Sequence, residues 1–423
     1  MTFNRILCQP KHHERFNNCL LLCLAHLFFL AFLFAAFRYF QGKSILPAET
    51  ELLNWDAEHY YAISQKGYFG INVAFFPLLP AIWRFSGLNV YGIVAFNIFI
   101  FYGAFLWLAR ILNLSGKQVL LALSIPGFMF FYVPYTEALF FSGTVLLLYA
   151  LKRERFGLLI ISILVNSFIR PVISILLPAL LLTIFVKHKQ GNPFYATKTA
   201  FWSIISVLPG LLCLAFIQET YTGNYWGFIT IQAEHWHHYL RLPSLPLSSW
   251  ENSTRLVLIL DGAAFFISVL GAFKALEQLW LRYKQPEKLK DGTVVFSLFY
   301  LAGTGAAVLL FQGGIIMNMN RYLFASAFLI VIFKYWADNY KFRTSHLLIL
   351  LLGLEIFWLF FNSFGRVRTL IRLSLASAYF TGVLALFHRH YFVRNTAFTI
   401  FYIANSVAQV YCLNVFLNGQ WVS

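Results

Sequence analysis

The residues best suited to chemistry stand in one short stretch, Trp55-Asp56-Ala57-Glu58-His59-Tyr60-Tyr61. It holds two carboxylates and an imidazole, in a chain with 16 acids among 423 residues that is 60% hydrophobic. On a helix, Asp56, His59 and Tyr60 fall at i, i+3 and i+4 and share a face. A carboxylate so placed can take a proton from a hydroxyl, with His59 as its hydrogen-bond or charge partner. A plainer reading makes Asn54 or Asp56 the cap of a helix running toward Gln65. The two readings do not exclude each other.

The elements that must position this stretch are membrane helices. A mean hydropathy of +0.69, 11% charged residues and 19% aromatic residues do not describe a soluble globule. Strand-type alternation is absent, which argues against an outer-membrane barrel. The net charge of +16 does not require nucleic acid, because basic residues of membrane proteins collect in cytoplasmic loops. The five cysteines are scattered, with no metal spacing and no paired framework.

A polar, basic N-terminus precedes an apolar run at 19–37, read as a retained first span with the N-terminus in the cytoplasm. Further apolar runs lie at 89–109, 118–133, 138–151, 156–169, 172–186, 200–218, 256–280, 294–311, 322–337, 347–361, 370–387 and 396–417. The expectation is an all-α polytopic membrane protein of about thirteen transmembrane helices, folded as one unit over residues 1–423. Alternate loops then hold most of the 32 Lys and Arg, with one sign of bias in nearly every loop. Half of the acids, Glu49, Glu51, Asp56, Glu58, Glu137, Glu219, Glu234 and Glu251, fall on the other, non-cytoplasmic side. Two long loops lie there, at 40–88 and 219–254. The first contains Ala74-Phe75-Phe76-Pro77-Leu78-Leu79-Pro80, too short to span and suited to lying in the interface. No internal repeat is visible.

On the same side, Glu137 stands at the mouth of a span, where a carboxylate is costly unless paired or wet. Arg170 and Arg321 sit at helix ends, where an arginine either grips a phosphate or snorkels to headgroups. In the second loop, Trp226 and Gln232 offer aromatic and amide contacts to a sugar or a headgroup, or belong to an amphipathic interfacial helix. The run Glu234-His235-Trp236-His237-His238 lacks a zinc-protease spacing, so no metal is expected. Asp261 and Glu355 are acids within spans, without an assigned role. There is no P-loop, no G-x-G-x-x-G, no G-x-S-x-G and no nucleic-acid module. No cytoplasmic loop is long enough for a nucleotide-sugar domain.

The run Trp-Asp-Ala-Glu-His, the pair Gly67-Tyr68 and Ala-Phe-Phe-Pro-x-x-Pro together resemble the first luminal loop of the PIG-V family. These are the GPI mannosyltransferases that add the second mannose, with their bacterial relatives, within the GT-C membrane glycosyltransferases. The pattern covers residues 55–80. Tyr135-Thr136-Glu137-Ala138-Leu139-Phe140, the stretch at 166–171 with Arg170, and Asn320-Arg321-Tyr322 are similar to later elements of the family, more thinly.

The resemblance implies a GT-C architecture, with short interfacial helices in the first non-cytoplasmic loop. It implies inverting single-displacement transfer of a hexose, mannose above all, from a polyprenyl-phosphate donor to a glycan or glycolipid acceptor. Asp56 would be the base, and His59 would orient it or bind donor phosphate. Arg170, and less directly Arg321, would hold the phosphate. Glu58 and Glu137 would bind acceptor hydroxyls or support the arginines, beside Tyr135, Trp226 and Gln232. No cofactor is required. The setting is a bilayer, the bacterial inner membrane or, for GPI assembly, the endoplasmic reticulum. The competing class is a transporter or flippase of a lipid-linked sugar; a purely structural scaffold ranks below it.

Overall fold

The computed structural model describes residues 11–187, 193–248, 255–340, 343–360, 374–379, 381–382, 386, 388 and 391–422. Half of the expected span at 370–387 lies outside them, as does Glu251. Among the described residues the chain is helical throughout, with no strand beyond an isolated bridge between Ser248 and Ile315.

Among the described residues, six helices are long and apolar enough to cross a membrane: Asn17–Phe40, Val90–Leu112, Ala196–Thr222, Val257–Lys284, Gly292–Phe311 and Tyr391–Leu417. A seventh arises if Pro126–Tyr132 and Glu137–Lys152, bent by 109°, count as one span. Length and composition thus support six or seven of the thirteen expected spans among the described residues. The shortfall comes from backbone interruption inside apolar runs. The run at 118–133 is α6 (Gly116–Leu123), a break, then a 3₁₀ segment opening at Pro126. The run at 322–337 is likewise divided between Met319–Phe324 and Ala327–Asn339. Others are helices too short to count, α8 (Phe156–Ser167), α9 (Ile173–Lys187) and α17 (Thr344–Trp358).

The first long loop leaves α1 (Lys11–Phe40) and folds into α2 (Glu49–Leu52), α3 (Asp56–Lys66), a 3₁₀ turn at Gly70–Ala74 and α4 (Leu78–Ser86). Arg38, at the end of α1, holds it down. Its guanidinium makes two parallel bonds to Glu51 (2.8 and 2.9 Å) and one to the Ser44 carbonyl (2.7 Å). Such a fork fixes direction as well as distance. It also holds the Glu51 carboxyl below the usual carboxylate range. α4 packs on α3, and the Leu78 N–H reaches the Phe168 carbonyl at the end of α8 (3.1 Å).

The second long loop leaves α11 (Leu208–Thr222), forms α12 (Gly227–Glu234) and continues as an extended strap over 235–248. The strap pairs with the turn after α14 (Gly292–Phe311): the N–H groups of Tyr239, Arg241, Ser244 and Ser248 donate to Phe311, Leu310, Gly313 and Gly314. Gly313 and Gly314, at φ 61° and 101°, make that turn possible.

The helix ends segregate. At one end Lys152 donates to the Ile111 carbonyl and Lys117 to Asn395. At the other, Asn54 donates to the Phe416 carbonyl (2.9 Å) and Asn320 to the Val422 carbonyl (3.2 Å). Asp56, Glu137, Arg170 and Arg321 all belong to this second end.

Close helix contact supports it. A Cβ on Gly210 of α11 would stand 2.4 Å from the Ser167 carbonyl oxygen, three residues before Arg170. Gly210→Val should lower stability by about 1–3 kcal/mol by forcing α11 away from α8. Thermal melts in detergent check this; an unchanged midpoint would show that the two helices do not meet here.

Candidate functional site

Four charged side chains form one line. Asp56 opens α3, and its Oδ2 meets Arg321 Nη1 at 2.7 Å. Arg321, on the short helix α15 (Met319–Phe324; with α13 as Arg255–Lys284), also bonds Glu137 through Nε. Glu137 opens α7 (Glu137–Lys152), and the same Oε1 accepts from Arg170 Nη1 at 3.0 Å. Charge alternates along the line: carboxylate, guanidinium, carboxylate, guanidinium. Side-chain exposure is 24% at Asp56, 5% at Arg321, 0% at Glu137 and 7% at Arg170. Only Asp56 presents substantial surface, so the line opens to the outside there.

Each member stands where a helix is interrupted. Pro134 breaks the chain before α7, and Asn97 of α5 (Val90–Leu112) donates to the Val133 and Tyr135 carbonyls at the break (2.7 and 3.0 Å). Pro171 bars α8 from continuing through Arg170. α15 is held by Asp261, whose Oδ1 accepts the Asn320 N–H at 2.9 Å, and by the Tyr300 hydroxyl on the Tyr322 carbonyl (3.1 Å). This gives Asp261 a positioning role. Before Asp56, Trp55 sits at φ 58° and ψ −126°, a conformation normally left to glycine that costs about 1–3 kcal/mol. The Trp55 ring lies 4.9 Å from that of Trp421, edge to face, which helps hold the corner.

Aromatic faces cover both guanidinium groups. Arg321 lies 4.5 Å from the Tyr135 ring centre and 5.5 Å from that of Phe130. Arg170 lies 5.3 Å from Tyr322 and 5.6 Å from Phe140. These contacts favour the cations where water is scarce. Tyr60, one turn past Asp56, is buried with its hydroxyl 3.4 Å from Thr136 Oγ1. Burial and the neighbouring Asp56 carboxylate push its phenol pKa up.

The remaining expected residues lie apart from the line. His59 makes no hydrogen bond to Asp56; its ring stacks on Phe75 at 4.7 Å, and Phe75 in turn meets Trp236 of the strap at 6.2 Å. Burial lowers the His59 pKa, with Asp56 and Glu58 opposing, so the ring is neutral near pH 7. Glu58 faces solvent. Trp226 is 70% exposed. Gln232 is bonded through Oε1 to His238 Nδ1 at 2.7 Å and serves the strap. Arg170 stands behind Glu137, and it is Arg321 that reaches Asp56. Among the described residues no group of three or more His, Cys, Asp or Glu converges as a metal cage. Sequence reasoning missed Arg38 and Trp421, and took Phe75 only as part of an interfacial run. Nothing local marks Trp421, whose partner is hundreds of residues away; Arg38 is a lone cation at the end of an apolar run, and that signal was available.

Set against protein-family models, curated proteins and solved structures, the chain matches none.

The strap has a pH signature. Burial, then the nearby Arg241 and His237, lower the His238 pKa to about 4 from an ordinary 6.5. The unfolded strap therefore takes up a proton below pH 6.5 while the folded strap resists it until about pH 4. Stability from neutral His238 is complete above pH 6.5 and declines as pH falls toward 4. Melting midpoints from pH 7 to 5 should fall more steeply for the wild type than for His238→Gln; parallel curves would contradict this.

Proposed function

We propose that the protein is an integral-membrane glycosyltransferase of GT-C type, which moves a hexose from a polyprenyl-phosphate donor to a hydroxyl of a glycan or glycolipid acceptor. The observation that carries this reading is the line of charge with one open end. Asp56 is reachable by an acceptor, and Arg321 beside it is fixed from behind by Glu137 and Arg170. Asp56 Oδ2 takes the arginine bond, which leaves Oδ1 to receive a proton. The acceptor oxygen attacks the anomeric carbon as the bond from that carbon to the phosphate oxygen breaks. The proton passes to Asp56, and polyprenyl phosphate leaves with the bonding pair. Arg321 answers the negative charge that grows on the leaving group. Glu137 and Arg170 act through Arg321, holding its fork toward the surface.

The resemblance of residues 55–80 to the PIG-V family directs the choice of sugar to mannose, from dolichyl-phosphate mannose or a bacterial counterpart. We assign the Asp56 end of the bundle to the non-cytoplasmic face. Lysines and arginines crowd the opposite end, as the positive-inside rule expects of the cytoplasmic side. On this reading α8, α9, α16 (Ala327–Asn339) and α17 complete crossings that hydropathy and length alone leave uncounted. The setting is the bacterial inner membrane, with the endoplasmic reticulum as the alternative for GPI assembly. The lipid donor explains a site at a helix-bundle end: the tail stays in the bilayer while the sugar meets Asp56.

The test uses purified protein, radiolabelled polyprenyl-phosphate mannose and a panel of glycan and lipid acceptors. Asp56-dependent label transfer is expected, with at least about a hundredfold loss in Asp56→Asn and an unchanged melting profile. Label that moves across vesicles without joining any acceptor would replace the enzyme by a flippase.

A further inference from the structure

The opposite end of the bundle holds a cavity of about 290 Å³ that the proposed reaction does not use. It lies between α6, α16 and α18 (Tyr391–Leu417). Arg394, on its wall, is 22 residues from Phe416, the contact of the first loop, which is roughly 30 Å along the helix. The two sites are separate.

The polar lining offers cations and donors. Among the described residues, Lys117 and Arg394 are its charged groups and no acid lines it. Asp338, the acid next to the lining residue Ala337, is occupied by Lys334 at 2.7 Å. Lys117 is steered by Asn395 and lies over the Phe398 ring at 5.3 Å; Arg394 lies 5.5 Å from the Tyr391 ring centre. Ser115 and Gln118 cap α6 reciprocally: Ser115 Oγ accepts from the Gln118 N–H, and Gln118 Oε1 from the Ser115 N–H. The cap draws on an acceptor of each side chain and leaves the hydroxyl hydrogen and the Nε2 hydrogens to donate. Such a set suits a phosphate oxyanion.

The rest of the lining is mostly apolar, with Leu121, Phe333, Leu386 and Phe398, and the Tyr340 phenol is its one further polar side chain among the described residues. Outside it, α18 continues as an exposed apolar track through Phe392, Ile400 and Ile403. The volume is near the lower end of ligand sites, about 300–1,000 Å³. It has room for a headgroup, while acyl chains would lie along the helix. We propose that this cavity binds the phosphodiester headgroup of an anionic bilayer lipid, at the membrane surface opposite Asp56.

The experiment is native mass spectrometry of the full-length protein, released from neutral detergent and titrated with phosphatidylglycerol, phosphatidylcholine or glycerol phosphate. Phosphatidylglycerol should be retained in preference to phosphatidylcholine. Retention should fall roughly tenfold or more in Lys117→Gln/Arg394→Gln, and stay unchanged in Arg153→Gln/Arg155→Gln, a control pair at the same end outside the lining. If the double variant fails to fold, Ala337→Phe fills the cavity without touching either charge and should reduce retention equally. Equal retention by wild type, double variant and filled variant would overturn the site. Glycerol phosphate displacing phosphatidylglycerol at matched concentration would overturn the lipid assignment in favour of free phosphate. Sugar transfer enters none of these readouts, so failure here is distinct from failure of the transferase reading.

Discussion

The structure around the candidate site depends on the neutralisation of Glu137. A carboxylate with no exposed surface is strongly disfavoured unless opposite charge and hydrogen bonds surround it. Two arginines supply both, on one oxygen. Neither lies on the helix that Glu137 opens. Satisfying this one group therefore draws together α7, the turn after α8 and α15, and Arg321 adds α3 through Asp56. Side chains of this length meet only if the helices end nearby. Pro134, Pro171 and the left-handed Asn318 before α15 provide those endings. Irregular backbone of this kind is tolerated at membrane depth where protein covers it.

Away from that centre, the construction keeps one end of the charged line open and fixed. Arg38 clamps the first loop to α1, Asp261 fixes α15, and Trp421 braces the strained Trp55. Strain directly before the one carboxylate of the line that reaches the surface fits a residue whose direction matters more than its stability. The Phe75 ring joins His59 to the strap, so the two long loops pack against each other here. In the proposed reaction His59 supplies a neutral wall, and the arginine, not the imidazole, accompanies Asp56.

Much of this was legible in the sequence because polar residues stand out in an apolar chain. Asp56, Tyr135, Glu137, Arg170 and Arg321 were singled out as charges or aromatics near helix ends, and they meet within one network. Their pairing was not legible. Which arginine reaches Asp56 depends on where α15 ends relative to α3, and no local pattern encodes that. The same gap explains Trp226 and Gln232: composition marked them as sugar contacts, while their environment is solvent and a histidine of the strap. The helical class followed from hydropathy. The number of spans did not, since hydropathy registers apolar character and not the continuity of hydrogen bonding through Pro126 or between α15 and α16.

Arg321 and Glu137 act as one buried unit on which the placement of Asp56 rests. A double-mutant cycle on thermal stability tests it most directly, with Glu137→Gln, Arg321→Gln and both together. Each single change removes the shared partner of a buried charge, leaving Glu137 with Arg170 alone or Arg321 with Asp56 alone, and should cost about 3–5 kcal/mol. The double variant should cost clearly less than the sum of the singles, because no orphaned charge remains between those two positions. Strict additivity would contradict the account, since it would mean that the two side chains do not depend on each other in the folded protein.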